Sequence, residues 1–278
     1  MFVTKLKRGV LRDKPEAPAQ SKQEARYQAI LHAIHTNGSA AVESLSEQLG
    51  VTLMTIRRDL DSMERKGLLH RTHGGAVPLQ PLFFEPIRRE RSFMMQVERM
   101  ADEKRRIGYA AAALIKPDET ICVTPGTTAA AVIRALPLNY NLTVVTSTAN
   151  VVMELSKRKD IKVFVTGGTL HGDWFSLVGP HAVRSLENVT IHKFFMGADG
   201  LDFASGATSF DQDEAELLRA MAACSRMRIA VLDRTKFGVV GNWRICRTLD
   251  LETIVTDSQI EPSRLEPFEQ AGITVVKA

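Results

Sequence analysis

The sequence contains few cysteines and no long apolar run. Its three cysteines, Cys122, Cys224 and Cys246, are an odd number at wide spacing and form no CxxC pair, so a zinc or redox motif is not indicated. We expect them to be reduced, partly buried thiols. No stretch approaches the roughly 18 apolar residues of a membrane span, and no apolar segment of the secretory type follows the basic N-terminus. We therefore expect a cytoplasmic protein with no membrane partner.

What the chain does have is length and an uneven distribution of charge. Its 278 residues, 44% of them apolar, can supply two independent hydrophobic cores. Residues 1–106 carry 19 Lys and Arg against 13 Asp and Glu, whereas residues 107–278 carry 17 against 19. A basic front and a slightly acidic back are typical of a nucleic-acid-binding module joined to a domain that need not touch DNA. From charge alone, a merely solvated basic surface stays open.

The front of the chain predicts a disordered arm followed by three short helices. Residues 1–24 mix Lys, Pro, Gln and Glu without a period, which is typical of disorder. Apolar residues then repeat at helical spacing from Tyr27 to Asn37 and from Val42 to the glycine at 50. The third helix has Thr52 as its N-cap and ends near residue 67; its spacing predicts four inward side chains, Leu53, Ile56, Leu60 and Met63.

The tight joint between the second and third helices is the pattern of a helix-turn-helix. The outward side of the third helix carries groups that can bond phosphates and base edges in the major groove. We place Asp59 and Asp61 on the same side, where they dilute the positive charge. Contact with DNA is therefore expected at the N-terminal half of this helix, where the helix dipole also favours phosphate.

After the third helix, residues 68–77 form two short extended runs around Gly74-Gly75, which predicts a β-wing. Arg71 and His73 would lie against the DNA backbone or the minor groove, and the glycines allow close approach. The four histidines of the front region raise the alternative of a metal site. We reject it because no cysteine or acid joins them at ligand spacing.

Residues 51–77, with the runs Thr-Ile-Arg-Arg-Asp-Leu and Arg-Thr-His-Gly-Gly-Ala, closely resemble the signature of DeoR-type bacterial regulators. The resemblance implies a winged helix-turn-helix over residues 25–78 that binds a double-stranded DNA operator. The residues expected to contact DNA are Thr52, Thr55, Arg57, Arg58, Ser62, Arg71 and His73.

The rest of the chain predicts an α/β domain with a mainly parallel sheet. Residues 79–97 read as a linker, and residues 98–278 as an effector-sensing and oligomerisation domain whose leading helix covers 98–115. Beyond this helix, short β-rich runs alternate with helical ones. The predicted strands are Thr120–Val123, Leu142–Thr146, Ile161–Val165, Lys193–Met196, Arg228–Leu232, Thr253–Val255 and Ile273–Val276. The predicted helices are Thr128–Leu136, Ala149–Lys157, Asp213–Cys224 and Ser263–Ala271.

Five of these strands are followed by glycine, hydroxyl, acidic or ammonium groups, and ligands of such sheets sit at the carboxyl ends of the strands. A Gly-Thr-Thr turn that opens a helix suits a phosphate, and Asp199 suits sugar hydroxyls. Each signal is weak alone, since such turns are also plain connections. Their convergence predicts a site for a phosphorylated sugar, with these residues: Gly126, Thr127, Thr128, Thr146, Ser147, Gly167, Gly168, Asp199, Gly200 and Lys236.

The back domain also resembles that of the DeoR-type regulators, through its Gly-Thr-Thr, Val-Gly-Pro, Gly-Ala-Asp-Gly and Asp-x-x-Lys-Phe-Gly runs. That domain resembles the ribose-phosphate-isomerase type of fold. The sequence departs from the pattern at Thr124-Pro125 and at Arg234-Thr235, both in the expected pocket. We expect no cofactor and no metal.

Three functions are compatible with these patterns. The leading one is a repressor of carbohydrate-metabolism genes that a phosphorylated sugar releases from its operator, acting as a homo-oligomer (dimer or tetramer) on paired half-sites. The second is a sugar-phosphate isomerase fused to a DNA-binding head, using Asp199, Asp233 and Lys236. We disfavour it, and expect no enzyme, because Met196-Gly197 replaces the second carboxylate that the resemblance to isomerases of this fold leads us to expect beside Asp199. The third is a constitutive architectural DNA-binding protein.

Overall fold

The computed structural model describes residues 22–78, 100–171 and 175–278. We call residues 22–78 the head and the remaining described residues the body. The predicted linker 79–97 and most of the predicted arm lie outside the described residues. No helix in the described ranges is both long enough and apolar enough to cross a bilayer.

The head contains three helices: α1 (Lys22–Asn37), α2 (Val42–Leu49) and α3 (Leu53–Arg65). The first begins inside the stretch expected to be disordered, so residues 22–24 are helical, contrary to the prediction. Gly50 ends α2 in the left-handed conformation, with φ 61°. The predicted cap of α3 is confirmed, because the Thr52 side chain accepts from Thr55 N at 3.2 Å.

The three helices enclose one core in which Ile56, Leu60 and Met63 are fully buried. Removing each of these side chains from water stabilises the head by about 1.5–3 kcal/mol. Two predictions for α3 were wrong. Leu53, the first residue of the helix, is 41% exposed, and Asp59 is buried rather than outward.

A three-stranded sheet completes the head, in the order β1 (Ala40–Ala41), β3 (Gly75–Val77), β2 (His70–Thr72). The wing was predicted, but β1 was not, and Gly75 lies in β3 rather than in the turn. A Cβ on Gly75 would lie 2.1 Å from the Ala40 carbonyl oxygen. This glycine therefore serves the close pairing of β3 with β1.

The body is built on the predicted parallel sheet, with seven strands in the order β15-β14-β12-β9-β4-β5-β6. All seven predicted strands are present, with ends shifted by up to three residues. Their bounds are β4 (Thr120–Val123), β5 (Leu142–Thr146), β6 (Ile161–Val165), β9 (Ile191–Met196), β12 (Ser225–Val231), β14 (Thr253–Thr256) and β15 (Thr274–Lys277).

Helices cover both faces of this sheet. One face carries α4 (Ala101–Ala112), α5 (Thr127–Arg134) and α6 (Ala149–Leu155), and the other carries α7 (Pro180–Arg184), α8 (Gln212–Ala223) and α9 (Pro262–Gln270). A Cβ on Gly108 of α4 would lie 2.5 Å from the Ala131 carbonyl oxygen of α5. The two helices are therefore in backbone contact, and their closeness requires glycine at 108.

Two small antiparallel sheets were not predicted. One pairs β7 (Thr169–His171) with β8 (Ser176–Val178), and the other has the order β10 (Gly200–Asp202), β11 (Gly206–Ser209), β13 (Trp243–Cys246). The second sheet changes the surroundings of the expected ligand site, because β11 leads directly into α8.

Candidate DNA interface and ligand pocket

The outward surface of α3 presents the predicted arginines. Arg57 and Arg58 are exposed, and Thr55 and Ser62 are partly exposed. Met54, one turn before Arg58, is 56% exposed and was missed, because the pattern treats apolar residues as inward. An exposed thioether beside two guanidinium groups suits a surface that reads base edges and thymine methyl groups.

Asp59 of α3 is paired within the head and does not face outward. Asp59 accepts from Arg26 Nε of α1 at 2.7 Å, and this pairing raises the pKa of Arg26 above its ordinary value. The pair ties the first helix of the head to the third. Because Asp59 is buried and paired with Arg26, it does not dilute the positive charge of the outward surface.

The wing is fastened to α3 by Arg71. Its guanidinium forms an ion pair with Asp61, and its backbone N–H donates to Glu64 Oε1 at 2.9 Å. His73 is exposed in the turn between β2 and β3. The structure therefore places His73 at the tip of the wing and holds Arg71 against the helix that it follows.

A polar pocket lies at the carboxyl ends of β4, β9 and β12, which are neighbours in the sheet. It encloses about 630 Å³, counting the part open to solvent. From β4 the chain runs outward through β5 to β6, and then returns to β9 and continues in the other direction. The pocket is thus at the point where the strand order reverses, which is where open α/β sheets bind ligands.

The Gly-Thr-Thr turn lines this pocket as predicted. Gly126 has φ 118°, a conformation that side-chain-bearing residues rarely adopt, and α5 begins at the next residue. The first N–H groups of a helix have no intrahelical acceptor, so Thr127 and Thr128 offer backbone donors as well as hydroxyls. Thr124 Oγ1 accepts from Gly197 N at 2.9 Å and so holds the ends of β4 and β9 together.

Two charged residues of the pocket were missed by sequence reasoning. Lys104 of α4 and Glu214 of α8 both line it, together with the predicted Asp199 and Lys236. Both missed residues come from helices rather than from strand ends, so strand-end reasoning had no means of finding them. The pocket therefore brings two ammonium groups, two carboxyl groups and a helix N-terminus to one ligand-sized space.

The two carboxyl groups have different environments. Asp199 Oδ2 accepts from Ser209 Oγ at 3.0 Å and from Phe210 N at 2.9 Å, which holds it as an oriented acceptor. Burial, with the charges of Asp199 and Asp211, raises the pKa of Glu214 to about 7. Near neutral pH, Glu214 can therefore donate or accept a hydrogen bond.

Half of the predicted ligand residues do not line this pocket. Thr146 ends β5, and Ser147, Gly167 and Gly168 follow β5 and β6, which lie beyond β4 toward the sheet edge. Thr146 Oγ1 donates to the Val123 carbonyl oxygen at 3.3 Å instead.

Two glycines among the predicted residues, Gly168 and Gly200, have packing roles. A Cβ on Gly168 would lie 2.5 Å from the Val178 carbonyl oxygen, and a Cβ on Gly200 would lie 2.1 Å from that of Val239. Five strand ends were expected to converge, but only the three adjacent central ones do.

Two further residues considered near this site have structural partners. Asp233, considered for catalysis, is buried and accepts from Thr235 N at 3.0 Å, so it caps the short helix Arg234–Lys236. Arg234 binds Asp257 Oδ1 at 2.7 Å and lies 3.4 Å from Glu103 Oε1. Neither residue lines the pocket. In the described ranges, no cluster of three or more His, Cys, Asp or Glu side chains is placed to hold a metal ion.

Comparison with known families agrees with this two-part architecture. The DeoR-like helix-turn-helix domain matches residues 26–81, and the DeoR C terminal sensor domain matches residues 99–258. The chain belongs to the DeoR family. It is therefore a DNA-binding transcriptional regulator with a sensor domain, as its sequence resemblance implied.

Curated relatives cover nearly the whole of this DeoR-family chain. The HTH-type transcriptional regulator GolR of Listeria innocua is 32% identical over 250 residues, which are 90% of this chain and 96% of the relative. The HTH-type transcriptional regulator GlpR of Haloferax volcanii is 31% identical over 93% of this chain and 97% of the relative. Among solved structures, ribose 5 phosphate isomerase A from Neisseria gonorrhoeae is similar with TM-score 0.36 and 18% identity, over 49% of this chain and 53% of that one.

Proposed function

We propose that this DeoR-family regulator is a repressor of carbohydrate-metabolism genes and that a small phosphorylated sugar or polyol releases it from its operator. The observation that carries the proposal is the pocket, where Lys104, Lys236 and the N-terminus of α5 meet Asp199 and Glu214. Cations and helix N-terminal N–H groups bind phosphate, whereas carboxyl groups bind hydroxyls. A ligand with both kinds of group uses the whole pocket.

On the ligand side, we assign the phosphate to the backbone and hydroxyls of Thr127 and Thr128, with the two lysines as counter-charges. Asp199, fixed by Ser209 and Phe210, accepts from sugar hydroxyls. Glu214 contacts a neighbouring hydroxyl. Inorganic phosphate, which lacks hydroxyl-bearing carbons, satisfies only the cationic part of this site.

On the DNA side, we assign base contacts to Arg57, Arg58 and Met54 on α3. Thr52, the N-cap of α3, and Thr55 and Ser62 on the same helix suit phosphate contacts. His73 at the wing tip reaches the backbone or the minor groove. Arg71 acts by holding the wing on α3, so its contribution to DNA binding is positional.

The names of several relatives support a sugar-related effector. They include the glycerol-3-phosphate regulon repressor of Escherichia coli, 29% identical over 78% of this chain, and the lactose phosphotransferase system repressor of Lactococcus lactis, 30% identical over 92%. We further propose that the protein acts in the cytoplasm as a homo-oligomer, since paired heads match paired half-sites on DNA.

Glu214 bears on the enzyme alternative, because it supplies a second carboxyl group that the sequence analysis did not find. We nevertheless propose that the pocket binds without catalysis, since the chain is a member of a regulator family. Incubating the purified protein with candidate sugar phosphates and following their isomers checks this. Turnover that Glu214→Gln abolishes would overturn the non-enzymatic assignment.

The function is tested by combining two measurements on the full chain. A thermal-shift panel of phosphorylated sugars, with inorganic phosphate and the unphosphorylated sugars as controls, identifies the effector. Anisotropy titration of a duplex selected from a random pool then gives DNA affinity with and without it. We expect a loss of about 100-fold, an ordinary allosteric coupling of about 2.7 kcal/mol. If no sugar in the panel changes the melting temperature or the DNA affinity, the constitutive architectural role is favoured instead.

A further inference from the structure

The helix α4 lies between the pocket and the head. Lys104 lines the pocket, whereas the next residue, Arg105, donates from Nη2 to the Thr36 carbonyl oxygen of α1 at 3.4 Å. One turn later, the Tyr109 ring packs on His32 of α1, with ring centroids 4.6 Å apart. A single helix turn therefore touches the ligand site on one side and the head on the other.

The helix α5 connects the same two places. Its first turn, at Thr127 and Thr128, lines the pocket. Its last turn, at Ile133 and Arg134, lines a crevice whose opposite wall includes Leu31 and Leu68 of the head. Eight helical residues span about 12 Å at about 1.5 Å each, so pocket and head are separated by the length of one short, stiff element.

The head rests on the body at further points beside these helices. Leu138, just beyond α5, packs against the core of the head. Asn139 Nδ2 donates to Glu24 Oε1 of α1 at 2.5 Å. Near the end of α3, a Cβ built on Gly67 would lie 2.8 Å from the Lys157 Cβ. We call these contacts, together with those that α4 and α5 make with the head, the seat of the head.

The two connecting helices are closely packed. A Cβ built on Gly108 would overlap the Ala131 backbone, so α4 lies directly against α5. Packed elements adopt discrete arrangements rather than a continuous range. A ligand that binds both helices at the pocket therefore shifts their far ends together.

We propose that the seat of the head on the α4–α5 pair is the element that carries the effector signal to the DNA-binding surface. This inference rests on the proposed function and specifies its regulation. The effector binds Lys104 and the N-terminus of α5, the pair changes position, and the contacts of Arg105, Tyr109 and the end of α5 with the head change with it. The position of each head on its body then sets how the α3 helices of two paired heads meet paired half-sites.

A reversible crosslink between Gly67→Cys and Lys157→Cys tests the proposal in the full-length protein. The Cβ atoms of a disulfide are typically about 3.5–4.5 Å apart, so a small shift allows the bond. Each single variant is the control, and G67C also measures the strain of cysteine at φ 67°. The native thiols are accounted for by mapping the bond by mass spectrometry.

In the oxidised double variant, we expect the effector to bind but the ratio of DNA affinities without and with effector to fall from about 100-fold to within about twofold of unity. Reduction should restore the wild-type ratio. Failure of the crosslink to form, or a full response in the oxidised protein, would overturn the inference while leaving the proposed function intact. If the reduced protein and the wild type respond to no phosphorylated sugar, the proposed function fails and the inference fails with it.

A milder variant keeps the test decisive if the cysteine variants fold poorly. Tyr109→Ala removes the ring that packs on His32, whereas Tyr109→Phe retains it. We expect the alanine variant to bind DNA and effector, but with a ratio of DNA affinities without and with effector that is at least about tenfold smaller than that of the wild type. The phenylalanine variant should keep the wild-type ratio. Equal responses in both variants would contradict the proposal.

Discussion

Glu214 and Asp199 lie in one pocket, and burial together with the charge of Asp199 raises the pKa of Glu214 to about 7. The ordinary value for this side chain is 4.5. Between these two values the native protein holds a proton that the unfolded chain has released. Stability should therefore fall as the pH rises through this window and level off above it.

The Glu214→Gln variant should lack this part of the pH dependence. We expect it to be more stable than the wild type at about pH 8, by on the order of 2–3 kcal/mol, with little difference below about pH 4.5. Urea unfolding at several pH values measures the difference. Glu216→Gln, an exposed change on the same helix, is the matched control. A wild-type curve that parallels the Glu214→Gln curve would refute the raised pKa.

The same proton should affect effector affinity. Above about pH 7, Glu214 becomes a second anion beside Asp199 and repels a phosphorylated ligand. Affinity measured by calorimetry should therefore fall between about pH 6 and about pH 8 in the wild type and vary less in Glu214→Gln. Because the free ligand's phosphate titrates identically in both experiments, the difference between the two profiles reports the presence of the Glu214 carboxyl group. Equal pH profiles would remove Glu214 from the ligand contacts.

Substitution of the pocket lysines should separate effector binding from DNA binding. Lys104→Met and Lys236→Met remove the ammonium groups and retain most of the side-chain volume. We expect each to lose the thermal shift and the release from DNA while binding the duplex normally, since the pocket and α3 are on different units. Lys159→Met, an exposed change on the body, should respond as the wild type does. A lysine variant that is still fully released has no role in the site.

The two outward arginines should determine operator affinity. Arg57→Ala or Arg58→Ala should weaken binding by about 1–3 kcal/mol if the side chain reads a guanine. Arg247→Ala, in which an exposed body arginine is removed, is the matched control for lost positive charge. Gel-shift titration compares the three. Intact binding in both α3 variants would show that this surface does not lie along the duplex.

The ion pair between Asp59 and Arg26 should stabilise the head rather than contact DNA. Asp59→Ala leaves Arg26 beside a buried cavity, and we expect a loss of about 1–3 kcal/mol in the free energy of unfolding, limited by the partial exposure of Arg26. Urea unfolding measures it. The double variant with Arg26→Ala should recover part of the loss, and additive losses would indicate that the two side chains are not coupled.

The parallel sheet could be predicted because its strands are short runs of β-branched and apolar residues separated by helical patterns. The small antiparallel sheets could not. A strand such as Gly200–Asp202 contains glycine and aspartate and is too short to show alternation. Its existence depends on pairing with β11, which only the folded chain reveals.

The site was predictable where the chain itself brings residues to a central strand end, as at Gly126-Thr127-Thr128 and Asp199. Sequence gives the strand ends but not the order of the strands in the sheet, so Thr146 and Gly167 were wrongly grouped with them. Lys104 and Glu214 were missed because helix packing, rather than local spacing, brings them to the pocket. The burial of Asp59 was missed for the same reason, since it depends on Arg26, 33 residues earlier in the chain.

The most direct test of effector-controlled DNA binding is the affinity of the full-length protein for its selected duplex, measured by fluorescence anisotropy with and without a saturating phosphorylated sugar that gives a thermal shift. We predict that the dissociation constant rises about 100-fold with the sugar and that inorganic phosphate alone does not reproduce the change. Superimposable titration curves with and without a sugar that binds the protein would contradict it.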